Sequence, residues 1–121
     1  MEIILNFVPP STNTAYRIIK LGKFHSLKMT QRGKEFKSDV IEILKKLKYK
    51  KLNGEIILDI EMRFRGKRKR DIDNYLKLLI DSLKGILFDD DDQIYIINIR
   101  KYINQDENQT ILRINEKWQN L

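Results

Sequence analysis

The chain has 121 residues, the length of one domain, and its 41% hydrophobic and 34% charged content suits a single core rather than a disordered chain. Lys and Arg outnumber Asp and Glu by 24 to 17, a net charge of +7 that points to a polyanionic partner, although a lysine-rich chain from an AT-rich genome would look the same. With no Cys and 1 His, disulfides, zinc–thiolate sites, thiol catalysis and multi-imidazole sites are excluded, so any metal must bind mainly through oxygen, which favours Mg²⁺ or Mn²⁺.

Residues 2–8 (EIILNFV) are apolar and partly alternating, and read as a strand. Acidic Glu2 precedes this run and no small-residue cleavage site follows, so no signal peptide is expected. Pro9 and Pro10 end the strand by removing two ladder donors. Ser11, Thr12 and Asn13 continue as a polar loop. Residues 16–19 and 24–27 flank Gly22-Lys23 as a small hairpin.

Thr30 is the expected N-cap of a helix over residues 31–47, with Phe36, Val40, Ile43, Leu44 and Leu47 on its apolar face. Residues 55–64 alternate as a strand: Ile56, Leu58, Ile60, Met62 and Phe64 face one way. A basic loop follows. The spacing of Ile72, Tyr75, Leu76, Leu79, Ile80, Leu83 and Leu87 predicts a second helix over residues 72–87. After an acidic turn, residues 94–101 and 110–115 read as an antiparallel hairpin. No apolar run approaches the roughly 20 residues that span a bilayer, so no membrane partner is expected. The order predicts a single α+β domain over residues 1–121, a small mixed sheet with two helices packed on it.

Three features between Arg63 and Asp92 carry chemistry. The first is a run of six cations in eight residues: Arg63, Arg65, Lys67, Arg68, Lys69 and Arg70. They repel one another unless solvent or an anion screens them, so they read as phosphate contacts or as a solvated surface loop. The second is Asp71-Ile72-Asp73. Two carboxylates on an extended backbone can share a hard cation, but Asp also caps helix starts. The third is Asp89-Asp90-Asp91-Asp92. A divalent cation would relieve its repulsion; an exposed solubilising turn is the plain alternative. Lys77 lies one helical turn beyond Asp73, placed either to pair with it or to hold a phosphate oxygen. Phosphodiester hydrolysis needs a cationic grip, a Lewis acid and an activated water, and this segment offers the groups for all three. Carboxylates gathered there without metal are expected to have raised pKa values.

Residues 67–77 (KRKRDIDNYLK), Asp81-Ser82-Leu83, Asp90-Asp91-Asp92-Gln93 and the early Pro9-Pro10-Ser11-Thr12-Asn13 together resemble the RusA family of Holliday junction resolvases. The resemblance covers nearly the whole chain. It implies an intertwined homodimer, a cytoplasmic Mg²⁺-dependent endonuclease (Mn²⁺ substituting) that makes paired symmetric nicks in four-way DNA junctions during recombination and repair. Its metal-binding aspartates would fall on Asp71, Asp73 and Asp91, the last chosen because it stands two before Gln93. Its functional lysine would fall on Lys77. Ser11 and Asn13 would lie near the cleft, with Arg65, Lys67, Arg68, Lys69 and Arg70 on DNA. His25 matches no catalytic motif, and Tyr102 and Trp118 read as packing groups.

Two other readings compete. Asp59-Ile60-Glu61-Met62-Arg63 faintly matches a restriction-like D…E-x-K nuclease signature, with Arg where Lys belongs. The other is a non-catalytic basic DNA-binding module. Geometry poses one question: a helix of about 15 residues is about 22 Å long, with Asp73 at one end and the acidic turn at the other. Either the chain doubles back, or a dimer brings Asp91 of one subunit to Asp71 and Asp73 of its partner.

Overall fold

A computed structural model describes residues 1–117; Trp118 lies outside the described residues. Strand β1 (Glu2–Leu5) leads through Pro9-Pro10 into one turn of helix, α1 (Thr12–Ala15). A two-stranded hairpin follows, β2 (Tyr16–Leu21) and β3 (Phe24–Met29), turning at Gly22. Helix α2 (Gln31–Lys46) starts where expected: the Thr30 hydroxyl accepts from the Gly33 amide at 3.3 Å. Then come β4 (Ile56–Arg65), a 3₁₀ turn (Ile72–Tyr75), α3 (Leu76–Leu83), a 3₁₀ turn (Asp91–Gln93), β5 (Ile94–Gln105) and β6 (Gln109–Glu116).

Among the described residues the main sheet has four strands in the order β1-β6-β4-β5. It is mixed: β1–β6 and β6–β4 are antiparallel, and β4–β5 is parallel across the α3 connection. The alternation read in β4 holds: Ile56, Leu58, Ile60, Met62 and Phe64 are all buried. They share one face with Ile3, Leu5, Leu112 and Ile114, against Phe36, Val40, Leu44, Leu79 and Leu83 of the helices. Helices and core thus occupy one side of the sheet. Each large apolar side chain so buried contributes about 1.5–3 kcal/mol. The α+β class and mixed sheet are as expected.

Two expectations are corrected. The last two strands do not form a hairpin, because β4 lies between them and pairs with both. The connection crosses the end of β4, where the Asn108 side chain accepts from the Arg65 amide and the Asn104 amide donates to the Gly66 carbonyl. The second helix is also shorter than expected. It opens as a 3₁₀ turn and ends at Leu83, where Gly85, at φ +85°, turns the chain back. Leu87 and Phe88 are still buried, so the apolar stripe is real although its last turn is not helical.

Candidate functional site

Strand β4 runs out of the core into the basic loop at Gly66, whose φ of +88° suits glycine. The two ends of the basic run serve the protein itself. Arg63 pairs with Glu61 at 2.8 Å and lies over the Tyr102 ring. Arg70 stacks 4.6 Å above the Phe64 ring and donates to the carbonyls of Arg68 and Arg65. Lys101 of β5 donates to the Arg70 carbonyl. Between these ends Lys67, Arg68 and Lys69 are exposed, as is Arg65, and none of the four has a side-chain partner among the described residues. Arg70 therefore braces the loop that presents its neighbours.

Asp71 follows in extended conformation, at φ −86° and ψ 128°. It occupies the N-cap position of the 3₁₀ turn, yet its carboxylate makes no capping hydrogen bond; only its carbonyl is used, by the Asn74 amide at 3.1 Å. Capping thus does not account for this carboxylate. Asp71 and Asp73 are both exposed, and neither side chain has a hydrogen bond or ion pair among the described residues. Two unengaged carboxylates two residues apart are a donor set that fits a hard divalent cation.

The early Pro-Pro motif is brought to this segment by a residue the sequence reading passed over. The Thr12 hydroxyl donates to the Asn74 carbonyl at 2.8 Å. Ser11 closes its own turn instead: its hydroxyl donates to Thr14 at 3.1 Å, while its carbonyl accepts from the amides of Thr14 and Ala15. Asn13 is exposed, and its side chain does not reach the segment. A cleft of roughly 460 Å³ lies here, with Pro10, Ser11, Arg32, Asp39, Arg68 and Arg70 among its lining residues. Ser11, Arg68 and Arg70 thus share one cleft. Arg32 joins them from α2, a residue the sequence reading did not single out.

Lys77 does not pair with Asp73. Its ammonium meets Asp81 at 3.1 Å and sits 5.1 Å from the Tyr16 ring centroid. The Tyr16 hydroxyl donates to the same Asp81 oxygen at 2.5 Å. Burial, then the hydrogen bond to Asp81, then its charge, push the Tyr16 phenol well above its usual range. It therefore remains a hydrogen-bond donor at any physiological pH. The 3₁₀ start explains the missed pairing, because it rotates Asp73 off the face that carries Lys77 and Asp81.

The acidic turn is well built. Asp90 caps the 3₁₀ turn, accepting from the Asp92 amide at 3.1 Å. Gln93 accepts from the amides of Asp89 and Asp90, and donates to the carbonyls of Leu52 and Gly54 at 3.0 and 3.2 Å. The D-D-x-Q pattern thus clamps the turn to the entrance of β4. Lysines offset the expected repulsion: Lys51 contacts Asp89, and Lys84 lies 3.8 Å from Asp91. For Asp90 the expected pKa direction reverses. The Asp92 N–H first, and then the charge of Lys84, hold it below the usual carboxylate range.

Asp91 and the Asp71/Asp73 pair lie at opposite ends of the sheet. Asp91 precedes Ile94, which pairs with Ile56 at the start of β4; Asp71 comes after Arg65, at its end. Lys101, which touches the Arg70 carbonyl, pairs with Met62, and from Ile56 to Met62 the strand rises about 20 Å. Among the described residues no three Asp, Glu, His or Cys side chains gather closely enough to hold a metal. The chain therefore does not double back to assemble all three aspartates within one subunit.

The restriction-like reading fails on its own residues. Asp59 meets Arg100 at 3.4 Å and buried Glu61 meets Arg63 at 2.8 Å, so each carboxylate is balanced by an arginine.

The family model described as endodeoxyribonuclease RusA matches residues 7–115. The crossover junction endodeoxyribonuclease rusA of Enterobacteria phage HK97 is 33% identical over 90 residues, which cover 70% of this chain and 68% of that protein. The chain belongs to the RusA family of endodeoxyribonucleases.

Proposed function

We propose that this protein is a divalent-metal-dependent endonuclease that resolves four-way DNA junctions by paired nicks, acting as a homodimer with its two metal sites shared between subunits. The observation that carries this reading is the pair Asp71 and Asp73, unengaged and exposed beside a loop of free cations. Arg65, Lys67, Arg68 and Lys69 would bind phosphates, with Ser11 and Arg70 at the cleft wall; exposed Asn13 would meet the DNA directly. Asp71 and Asp73 would hold the ion, Mg²⁺ or Mn²⁺ by the chemistry of their oxygens, and Asp91 would come from the partner. Bound there, the ion supplies Lewis-acid polarisation of the phosphoryl oxygen. Lys77, steadied by Asp81 and Tyr16, would direct its ammonium to a phosphate oxygen and stabilise developing negative charge.

The sheet suggests how two chains meet. β5 is an edge strand of 12 residues, and Tyr95, Ile96, Ile97, Tyr102 and Ile103 along it are exposed. An apolar edge of this length invites strand pairing. The acidic turn stands at its start, while Lys101, near its end, touches the Arg70 carbonyl next to Asp71. Antiparallel pairing of β5 with its twin about a two-fold axis carries the partner's acidic turn toward Asp71 and Asp73. It also creates two equal sites, as symmetric incision requires.

The test mixes subunits. Asp71→Asn and Asp91→Asn homodimers should each cut a labelled junction about a thousandfold more slowly than wild type with Mg²⁺. Mixed heterodimers should regain one working centre and nick one strand. No rescue on mixing would refute the shared site. Wild-type protein that binds junctions equally in EDTA and with Mg²⁺, yet never cuts, would be a non-catalytic DNA-binding module instead.

A further inference from the structure

The β2–β3 hairpin is not explained by the metal site or by the core. Only its root is anchored: Tyr16 and Met29 pack against the core cluster, and the Ala15 carbonyl accepts from the Thr30 amide. Beyond the root, Ile18, Leu21, Phe24 and Leu27 are 65%, 64%, 79% and 51% exposed. A lone two-stranded hairpin is marginal in water, and exposed apolar side chains at its tip do nothing to stabilise it.

The cross-strand register sorts these residues. Leu21 faces Phe24 at the tip, and Ile18 faces Leu27. On the root side of the Ile18 and Leu27 pair, Arg17 stands directly opposite Lys28, and between the two apolar pairs Lys20 stands opposite His25. The like charges of Arg17 and Lys28, face to face across the ladder, destabilise it. Residues 16–29 include Lys23 but no Asp or Glu, and none of their cations forms an ion pair among the described residues. The hairpin root leads into the start of α2, which also lines the cleft. Arg17, Lys28 and Gln31 line a hollow at the hairpin root, and the neighbouring Arg32 lines the cleft with Arg68 and Arg70.

We propose that the β2–β3 hairpin is a DNA-binding ribbon: Arg17, Lys20, Lys23 and Lys28 grip phosphates while the tip pair, Leu21 and Phe24, packs against unstacked bases at the branch point. This rests on the junction-resolving reading and deepens it, by naming what reads the branch. Six residues per strand make a ribbon about 20 Å long, and a two-stranded ribbon fits a DNA groove about 12 Å wide. Apolar side chains gain little against intact duplex, whose bases already stack. At a branch point the helix ends are open and the cost of unstacking falls, so an apolar wedge finds a partner there. A second copy of the hairpin is a poor occupant, because two ribbons of like charge repel.

The experiment measures binding in EDTA, so it needs no cleavage. Junctions carry 2-aminopurine either at the branch or within an arm. Wild-type protein should raise fluorescence at the branch and leave the arm unchanged. In Phe24→Ala that rise should largely vanish, and the ratio of junction to linear-duplex affinity should fall by about fivefold to a hundredfold. Phe24→Trp should retain both. Leu21→Ala should weaken the branch signal in the same direction. In the double variant Arg17→Gln, Lys28→Gln, the slope of log affinity against log salt should drop by about 2. Unchanged branch fluorescence and affinity ratio in Phe24→Ala would overturn the ribbon. So would a shift of Phe24→Ala to monomer in sedimentation with the branch signal intact, since the tip would then cover a second copy. A wild-type protein that distorts the branch but never cuts with Mg²⁺ would refute the resolvase reading and leave the ribbon standing.

Discussion

Tyr16 and Asp81 show what one side chain does for another. Lys77 carries a long flexible stem, and for the phosphate contact proposed above its ammonium would gain from being held. The Asp81 carboxylate and the Tyr16 ring hold it between them. The phenol makes the arrangement sensitive to alkali. Its folded pKa is raised above its unfolded value, so its contribution is complete below about pH 10 and declines as pH rises past that point. Comparing wild type with Tyr16→Phe by chemical denaturation from pH 8 to 11 should show a steeper alkaline loss in wild type. The excess should be less than about 1 kcal/mol per pH unit, because the half-buried phenol is partly screened by solvent. The sequence named Lys77 and left open whether it pairs with Asp73; it does not, and its partner Asp81 lies on α3 beyond the 3₁₀ turn that carries Asp73. Thr12 was passed over because its bond to the Asn74 carbonyl spans 62 residues, and no local pattern encodes it.

At the scale of elements, α2 depends on a missing side chain. A Cβ on Gly33 would lie 2.6 Å from the Ala15 carbonyl oxygen and 2.6 Å from Met29 Cγ. Alanine is the better helix former by about 1 kcal/mol, so propensity alone favours the change. The clash with backbone should outweigh it: Gly33→Ala should lose about 1–2 kcal/mol in urea denaturation, with the hairpin root as the first segment to lose hydrogen-exchange protection. The sequence revealed α2 and β4 to within a residue at their ends, since the first has a cap and a 3.6-residue rhythm and the second alternates without a break; Leu47, expected on the apolar face of α2, follows the helix and is exposed. It did not reveal that β4 separates β5 from β6. Alternation says which face a residue takes and nothing about which strand lies beside it. The short connection after β5 suggested a hairpin, whereas Asn104 at φ +57° and the Asn108 bond to Arg65 carry the chain across the end of β4.

Across the whole molecule, the sheet is covered by helices on one side and left with a long open edge. On the proposed two-fold, Tyr95→Lys places a charge at that edge and should separate the subunits. Sedimentation should then report a species near the chain mass of 14.5 kDa, and junction cleavage should fall with it. A Tyr95→Lys protein that remains dimeric and active would place the two-fold elsewhere. The sequence supplied the separate parts of the candidate site, the basic run and the two acidic motifs that follow it. Their distance apart depends on the parallel pairing of β4 with β5, which no spacing along the chain discloses.

That distance has a consequence for the cell that makes the protein. An enzyme able to sever chromosomes carries a hazard from the moment of its synthesis. If the site is shared between subunits as proposed, a newly made chain by itself would be harmless. Cutting competence would then arise only above an abundance threshold, so that gene dosage, rather than an inhibitor, arms the enzyme.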